Sequence, residues 1–308
     1  MANNPAPGSL PPLDVQRAPE GGEVGAVQSG WRLALREFAS NRLAVIGFSM
    51  LLFFVLFSFV GPLIYKTNQI DTSLVNANLP PSGAHLLGTD TNGFDELGRT
   101  MKGGQAALEI GFFAAAVAIV IGTLWGAVSG LIGGIVDSAM MRVVDIFLSV
   151  PFLFVVLILA VKFGASVLSL SLVIGGFAWQ VPARLVRGEV LSLRERDFVH
   201  AARTAGAGNW RLITRHLIPN ALGVVIVNVT FQVADAILAV SYVGFLGFGL
   251  HFPNVDWGDQ LSSGSEYLQD GYWWLIYPVG ACIVLTVMAL NFIGDALRDA
   301  LDVRLRRR

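Results

Sequence analysis

Charge is almost absent from long stretches of this chain, and that feature most limits what it can fold into. Residues 43–65, 110–136, 163–183 and 271–294 contain no Asp, Glu, Lys or Arg over 23, 27, 21 and 24 positions. Each exceeds the roughly 20 apolar residues a helix needs to cross a bilayer core of about 30 Å. Two further segments are interrupted: 146–161 is uncharged only between Asp145 and Lys162, and must borrow Val143 and Val144, while 221–250 is broken once, by Asp235. Unpaired backbone groups are costly in lipid, so segments of this length span as helices. The pattern predicts an all-α membrane protein with six spans. Composition agrees, since 14% of the 308 residues are charged against about 25% in a soluble chain.

Arginine and lysine placement sets the expected orientation. With the N-terminus inside, the segment up to Arg42 carries four, the loop at Arg142 one, the polar loop after Ala183 seven and the C-terminal end five, 17 of 21 in all. Lys66, Arg99, Lys102 and Lys162 then fall outside, and both termini are expected in the cytoplasm. A net charge of −1 gives no indication of a nucleic-acid partner.

The first 42 residues are polar, and their apolar run begins too late for a cleavable signal peptide, so 43–65 is expected to act as an uncleaved anchor. Residues 1–30, rich in Pro, Gly and Ala, read as a disordered cytoplasmic tail. Trp31, Leu35 and Phe38 fall on one helical face and Arg32 and Arg36 on another. That fits either a helix lying in the membrane interface or a plain extension of the first span. The expected organisation is an interfacial helix and first span over 31–65, an extracytoplasmic loop over 66–105, a membrane domain over 106–298 and a basic tail over 299–308. Cys282 is the only cysteine, which excludes an intramolecular disulfide and a cysteine-based metal site.

One polar stretch, 188–219, stands apart inside the membrane domain. Asp197 is a good N-cap, and Gly206 a good C′ residue at positive φ, for a short helix between them. Asn209 can cap a second short helix, which Pro219 is expected to end by disfavouring helical geometry at Ile218. Ala201, Ala202 and Ala205 give the first arm a smooth ridge for close approach by a partner protein, with Ala201 and Ala202 facing it. Phe198, Arg203, Ala207, Arg211 and Arg215 complete the candidate contact set. The sequence reads His200-Ala201-Ala202, three residues, Gly206, nine residues, then His216-Leu217-Ile218-Pro219. This spacing resembles the coupling loop of ATP-binding-cassette importer permeases, with His200 in place of Glu and His216 in place of Ile.

A second array carries the resemblance further. His85-Leu86-Leu87-Gly88-Thr89-Asp90, followed by Gly93 and Asp95, is similar to a signature of dipeptide, oligopeptide and nickel permeases, with Phe94 in place of Arg. Gly133-Gly134 with Asp137, Met141-Arg142 with Asp145, and Ala183-Arg184 with Val186-Arg187-Gly188 follow in order. Phe245-Leu246-Gly247, Trp257-Gly258, Trp273-Trp274 and the run Asn291 to Asp299 complete it. The family often has an acid where Val240 stands, so any role of that acid does not carry over. The N-terminal tail and the Trp-Trp pair favour the second, C-type, permease subunit.

The resemblance implies a type I importer permease of six spans with a cytoplasmic coupling helix, in a prokaryotic inner membrane. It implies a related permease subunit, two ATPase subunits that bind ATP and Mg, an extracytoplasmic substrate-binding protein and membrane lipid as partners. Nickel or another small solute is the alternative to di- and oligopeptides. The residues themselves fit this division of labour: Lys66, Lys102 and Lys162 each lack the preceding Gly of a phosphate-binding loop. Asp90, Asn92 and Asp95 miss the calcium-loop pattern, because Gly93 stands fourth instead of sixth. Asp235 and Asp295 lie at different depths and cannot share a proton as a protease dyad would. An ion-coupled transporter would use Asp235 but leaves the 197–219 loop without a purpose. Gly122, Gly126, Gly130 and Gly134, four apart, predict a stripe for helix packing. Gly244 and Gly247 predict a broken or re-entrant segment that, with Asp235, is a candidate pore lining.

Overall fold

The computed structural model describes residues 38–306, so the expectations for the tail and for Trp31, Arg32, Leu35 and Arg36 lie outside the described residues. Those residues form helices and connecting turns, with one isolated two-residue bridge, Thr89 to Asp95, and no strand among them. Helix α1, Arg42–Phe59, is followed by a one-turn helix, Gly61–Ile64. Asn41 starts α1 by accepting a hydrogen bond from the Leu43 N–H. Helix α2 runs over Glu96–Ile132, capped by Asp95, whose side chain accepts from the Gly98 N–H. It begins inside the segment assigned to the 66–105 loop and is longer than a bilayer core requires.

The middle of the chain departs from six straight spans. Helices α3 (Gly134–Ser149) and α4 (Phe152–Phe163) meet at 80°, and α5 (Val167–Phe177) and α6 (Gln180–Leu193) at 46°. Among the described residues four helices are long and apolar enough to cross a membrane alone, and the count reaches six when each bent pair is one span. The first bend falls inside 146–161, which was expected to cross as one segment. Pro151 explains it, because proline disfavours helical geometry in the residue before it, and Val150 is extended (φ −87°, ψ 129°). Helix α6 continues to Leu193, so residues 188–193 belong to the bundle instead of the loop.

After α6 come the short helices α7, Asp197–Thr204, and α8, Asn209–Leu212. A π-helical turn, Ile213–Leu217, joins α8 to α9, Ile218–Val243. A second π-helical turn, Gly244–Phe248, ends that span, and α10 (Trp257–Ser265) and α11 (Tyr277–Arg306) follow.

Helix α2 is the central post, packed against α1, α5, α6 and α9. Its small residues allow this. A Cβ added at Gly122 would stand 2.5 Å from Cβ of Pro182, and one at Gly126 would overlap the Ala183 carbonyl oxygen. At Gly130 it would stand 2.9 Å from the Val190 side chain. Three of the four predicted glycines therefore seat α6 on α2. Gly134 does not: α2 has ended, φ is +59°, and a Cβ there would meet nothing within 4 Å. Gly126→Leu is expected to destabilise by about 3 kcal/mol, the upper end for overpacking, and Gly134→Leu to leave the α2–α6 contact untouched. Thermal unfolding of the purified protein in detergent checks the difference.

Candidate functional site

The 197–219 segment forms an exposed helical elbow at one end of the bundle. Its first arm starts one residue earlier than expected: Arg196 is the N-cap, and Asp197 is the first helical residue, with no side-chain cap bond. Asp197 still suits the position, because an acid in the first turn faces the positive end of the helix dipole. The arm closes as the sequence predicts. The Gly206 N–H donates to the Arg203 carbonyl (2.9 Å), the Ala207 N–H donates to the Ala202 carbonyl (3.0 Å), and Gly206 has φ +83°. That pair of bonds is the Schellman closure, which favours glycine.

The second arm differs from expectation at both ends. Gly208 is the N-cap of α8, and Asn209 is its first helical residue. Pro219 does not stop the helix. The π turn lets the Ile218 N–H reach the Ile213 carbonyl five residues back, and Pro219 falls in the first turn of α9, where a missing N–H is tolerated. The Asn220 side-chain amide donates to the His216 carbonyl at 2.6 Å.

Burial divides the elbow into two faces. Val199, Leu212, Ile213 and Leu217 are buried in one cluster with Ala127 and Leu131 of α2 and Val186, Val190 and Leu193 of α6. Ala202 and Ala207 pack against the same cluster. Ala202 therefore turns inward, which corrects the expectation that it faces a partner alongside Ala201. Asp197, Phe198, His200, Ala201, Arg203, Gly206, Arg211, Arg215 and Pro219 are exposed, and His216 is half-buried. Phe198 and Trp210 present apolar area there, at 38% and 65% exposure.

Charged residues join α6, the helix that leads into the elbow, to α2 and α3. Arg187 of α6 makes a two-pronged bond to Asp137 of α3, Nε to Oδ1 at 2.5 Å and NH2 to Oδ2 at 2.6 Å. The Ser129 hydroxyl of α2 donates to the same carboxylate. Arg194, at the end of α6, donates to the Gly130 carbonyl of α2 at 3.0 Å, and Arg184 pairs with Asp145 at 2.5 Å. The sequence motifs contain Asp137, Asp145, Arg184 and Arg187, but nothing in their spacing pairs residues 50 apart.

At the other end of α9, Gly244 and Gly249 admit the Asp256 carboxylate where a Cβ would overlap it. Asp256 accepts from the Leu250 N–H (2.8 Å) and the Asp259 N–H (2.9 Å), locking the chain reversal into α10. Burial pushes the Asp256 carboxyl above its ordinary range, partly offset by these N–H bonds. Gly247 takes φ +82° in an exposed turn beside exposed Phe245, Leu246 and Phe248. Asp235 is also exposed, two helical turns before exposed Tyr242. The 85–95 motif packs at this end. Asp95 Oδ2 accepts from the Tyr65 hydroxyl (2.8 Å) and lies 2.9 Å from His85 Nδ1, and the Trp274 indole donates to the Thr89 carbonyl (3.3 Å). Burial, then the bond to Asp95, raises the Tyr65 pKa.

Long apolar helices around a small-residue post, with a polar elbow exposed at one end, define a polytopic membrane protein. Residues 99–307 match the family of binding-protein-dependent transport system inner membrane components, and the chain belongs to it. Residues 29–81 match the N-terminal transmembrane domain of oligopeptide transport permease C. The chain is 40% identical over 281 residues to the oligopeptide transport system permease protein OppC of Haemophilus influenzae, covering 91% of this chain and 90% of that one. It is 38% identical over 274 residues to the dipeptide transport system permease protein DppC of Bacillus subtilis, covering 89% and 86%. OppC of Escherichia coli K12 is 40% identical over 281 residues, covering 91% and 93%.

Proposed function

We propose that this chain is the C-type permease subunit of an ATP-driven importer of di- and oligopeptides in a prokaryotic inner membrane. The relatives named for oligopeptide and dipeptide transport, similar over nine-tenths of the chain, carry the substrate class. The elbow carries the mechanism. Its exposed face, Phe198, His200, Ala201, Arg203, Gly206, Arg211 and Arg215, is the docking surface for a cytoplasmic ATPase subunit. Asp197 opens the first arm at Arg196. Ala202, Ala207, His216 and Pro219 hold the elbow's shape and do not reach the ATPase directly. The chain is not itself an enzyme; ATP and Mg bind two partner ATPases, and a second permease subunit and an extracytoplasmic binding protein complete the complex.

ATPase closure pushes the elbow as a rigid body. The push reaches α2 and α6 through the shared apolar cluster and the Arg187–Asp137–Ser129 link, and tilts the helices around the pathway. Asp235 and Gly247 line that pathway or the seam with the second permease subunit, whereas Gly244, expected there too, is buried against the Asp256 carboxylate and does not. An exposed carboxylate on a membrane-length helix supports this, since a charge at the bilayer centre costs about 2.5–3.5 kcal/mol on insertion scales.

Orientation is testable with one variant. In Ala201→Cys combined with Cys282→Ser, the new thiol is expected to react with a membrane-impermeant maleimide only from the cytoplasmic side, and to be shielded when the ATPases are present. Labelling from outside in intact cells refutes the docking surface and the topology together.

A further inference from the structure

The end of the bundle opposite the elbow holds a cleft that the coupling mechanism does not use. Asp90, Phe94 and Glu96 line one wall and Asp259, Gln260 and Ser263 of α10 the other, around about 320 Å³. Glu96 is 2% exposed, and its Oε1 has no hydrogen-bond partner among the described residues. A buried carboxylate without a partner is costly. Arg99, the cation lining the cleft, is engaged elsewhere. Its Nε lies 3.3 Å from Asp90, its NH2 3.9 Å from Asp259, and its guanidinium carbon 5.1 Å from the centre of the Phe94 ring. Asp90 and Asp259 thus share one guanidinium, and Glu96, the most buried acid of the cleft, has no ion pair with it.

We propose that this cleft binds a primary ammonium group, with Glu96 as its buried acceptor and Asp259 at its rim. An ammonium is a compact charge with three rotatable donors, suited to acceptors on separate elements. A guanidinium instead matches its planar fork to one carboxylate. A divalent metal fits poorly, since no group of three or more His, Cys, Asp or Glu among the described residues is placed to hold one.

Under the orientation and partners proposed above, on which this site rests, the cleft opens outside. Two sources bring an ammonium there: the amino terminus of an arriving peptide, and a lysine of the binding protein that delivers it. The test uses the full complex in proteoliposomes, comparing wild type with Glu96→Gln. Uptake is measured with a free or an N-acetylated peptide, and with native or lysine-acetylated binding protein that retains its peptide affinity. Blocking the true source is expected to raise the half-saturating concentration about tenfold in wild type and to have no effect in Glu96→Gln. Asp259→Asn is expected to give an intermediate loss. Wild type indifferent to both blocks, or Glu96→Gln as sensitive as wild type, overturns the site. Thermal unfolding without ligand gives an independent readout: glutamine is nearly isosteric with glutamate and replaces a side chain that has no hydrogen-bond partner at Oε1, so the Tm of Glu96→Gln should equal or exceed wild type. A Tm lower by several degrees would mean that Glu96 already has a structural partner, and would also overturn the site. Absence of any ATP-dependent uptake by wild type would instead strike at the proposed function.

Discussion

Gly206→Val is expected to leave membrane insertion near normal while reducing peptide uptake and ATPase association at least tenfold. The cause is conformational, because a Cβ at Gly206 meets nothing within 4 Å. What valine cannot supply cheaply is φ +83°, a left-handed backbone that costs an L-residue roughly 1–2 kcal/mol. A β-branched residue there forces the elbow to reopen and breaks the bonds from Gly206 and Ala207 back into α7. Gly206→Asn should recover most of the activity, since asparagine visits that region readily. Uptake of a labelled peptide by cells carrying each variant separates the two. Equal, full uptake by wild type and valine variant would reduce the elbow to a connector. Ala201→Trp should imitate the valine variant by blocking the exposed face. Ala202→Trp should lower stability as well, because that side chain turns into the apolar cluster.

Arg187→Met is expected to separate ATP hydrolysis from transport. Arg187 holds Asp137 with two bonds, and Ser129 binds the same carboxylate. Removing the arginine leaves a nearly buried carboxylate with one neutral partner. Loss of one partner costs about 3–5 kcal/mol for a fully buried pair and about 0–1 for an exposed one. With side-chain exposures of 32% and 12%, about 2 kcal/mol is the expected destabilisation. Adding Asp137→Asn should return part of it, because the two residues interact. The functional signature is a transport-to-hydrolysis ratio that falls several-fold in Arg187→Met while ATPase subunits still co-purify. If the ratio stayed at the wild-type value, the pair would serve folding alone.

The long uncharged runs made the apolar helices legible, and Gly206 announced the closure of the first arm, because both depend on local chemistry. The bend at Val150–Pro151 is equally local: Pro151 signals it, and the absence of charge does not. Other features depend on context that the sequence does not carry locally. Pro219 reads as a stop, but a π turn supplied by the surrounding packing carries the helix past it. Gly134 continues a four-residue rhythm, but α2 ends two residues earlier, and the rhythm loses its physical basis there. Ala201 and Ala202 are indistinguishable in sequence; only the packing of Val199 and Leu217 against α2 and α6 decides which one faces out. Asp137 and Arg187 stand in the motif array unpaired, because their contact arises only where α3 and α6 come together in the fold. Glu96 lies in the segment assigned to the 66–105 loop, and no motif singles it out.

The central claim is that ATP hydrolysis drives peptide import through this chain. Its most direct test is accumulation of a radiolabelled dipeptide in proteoliposomes containing the chain with its companion permease, ATPases and binding protein. Accumulation is expected to require ATP, the binding protein and this chain, and to stop with Gly206→Val. Accumulation driven by an ion gradient without ATP, or unchanged when this chain is left out, would contradict it.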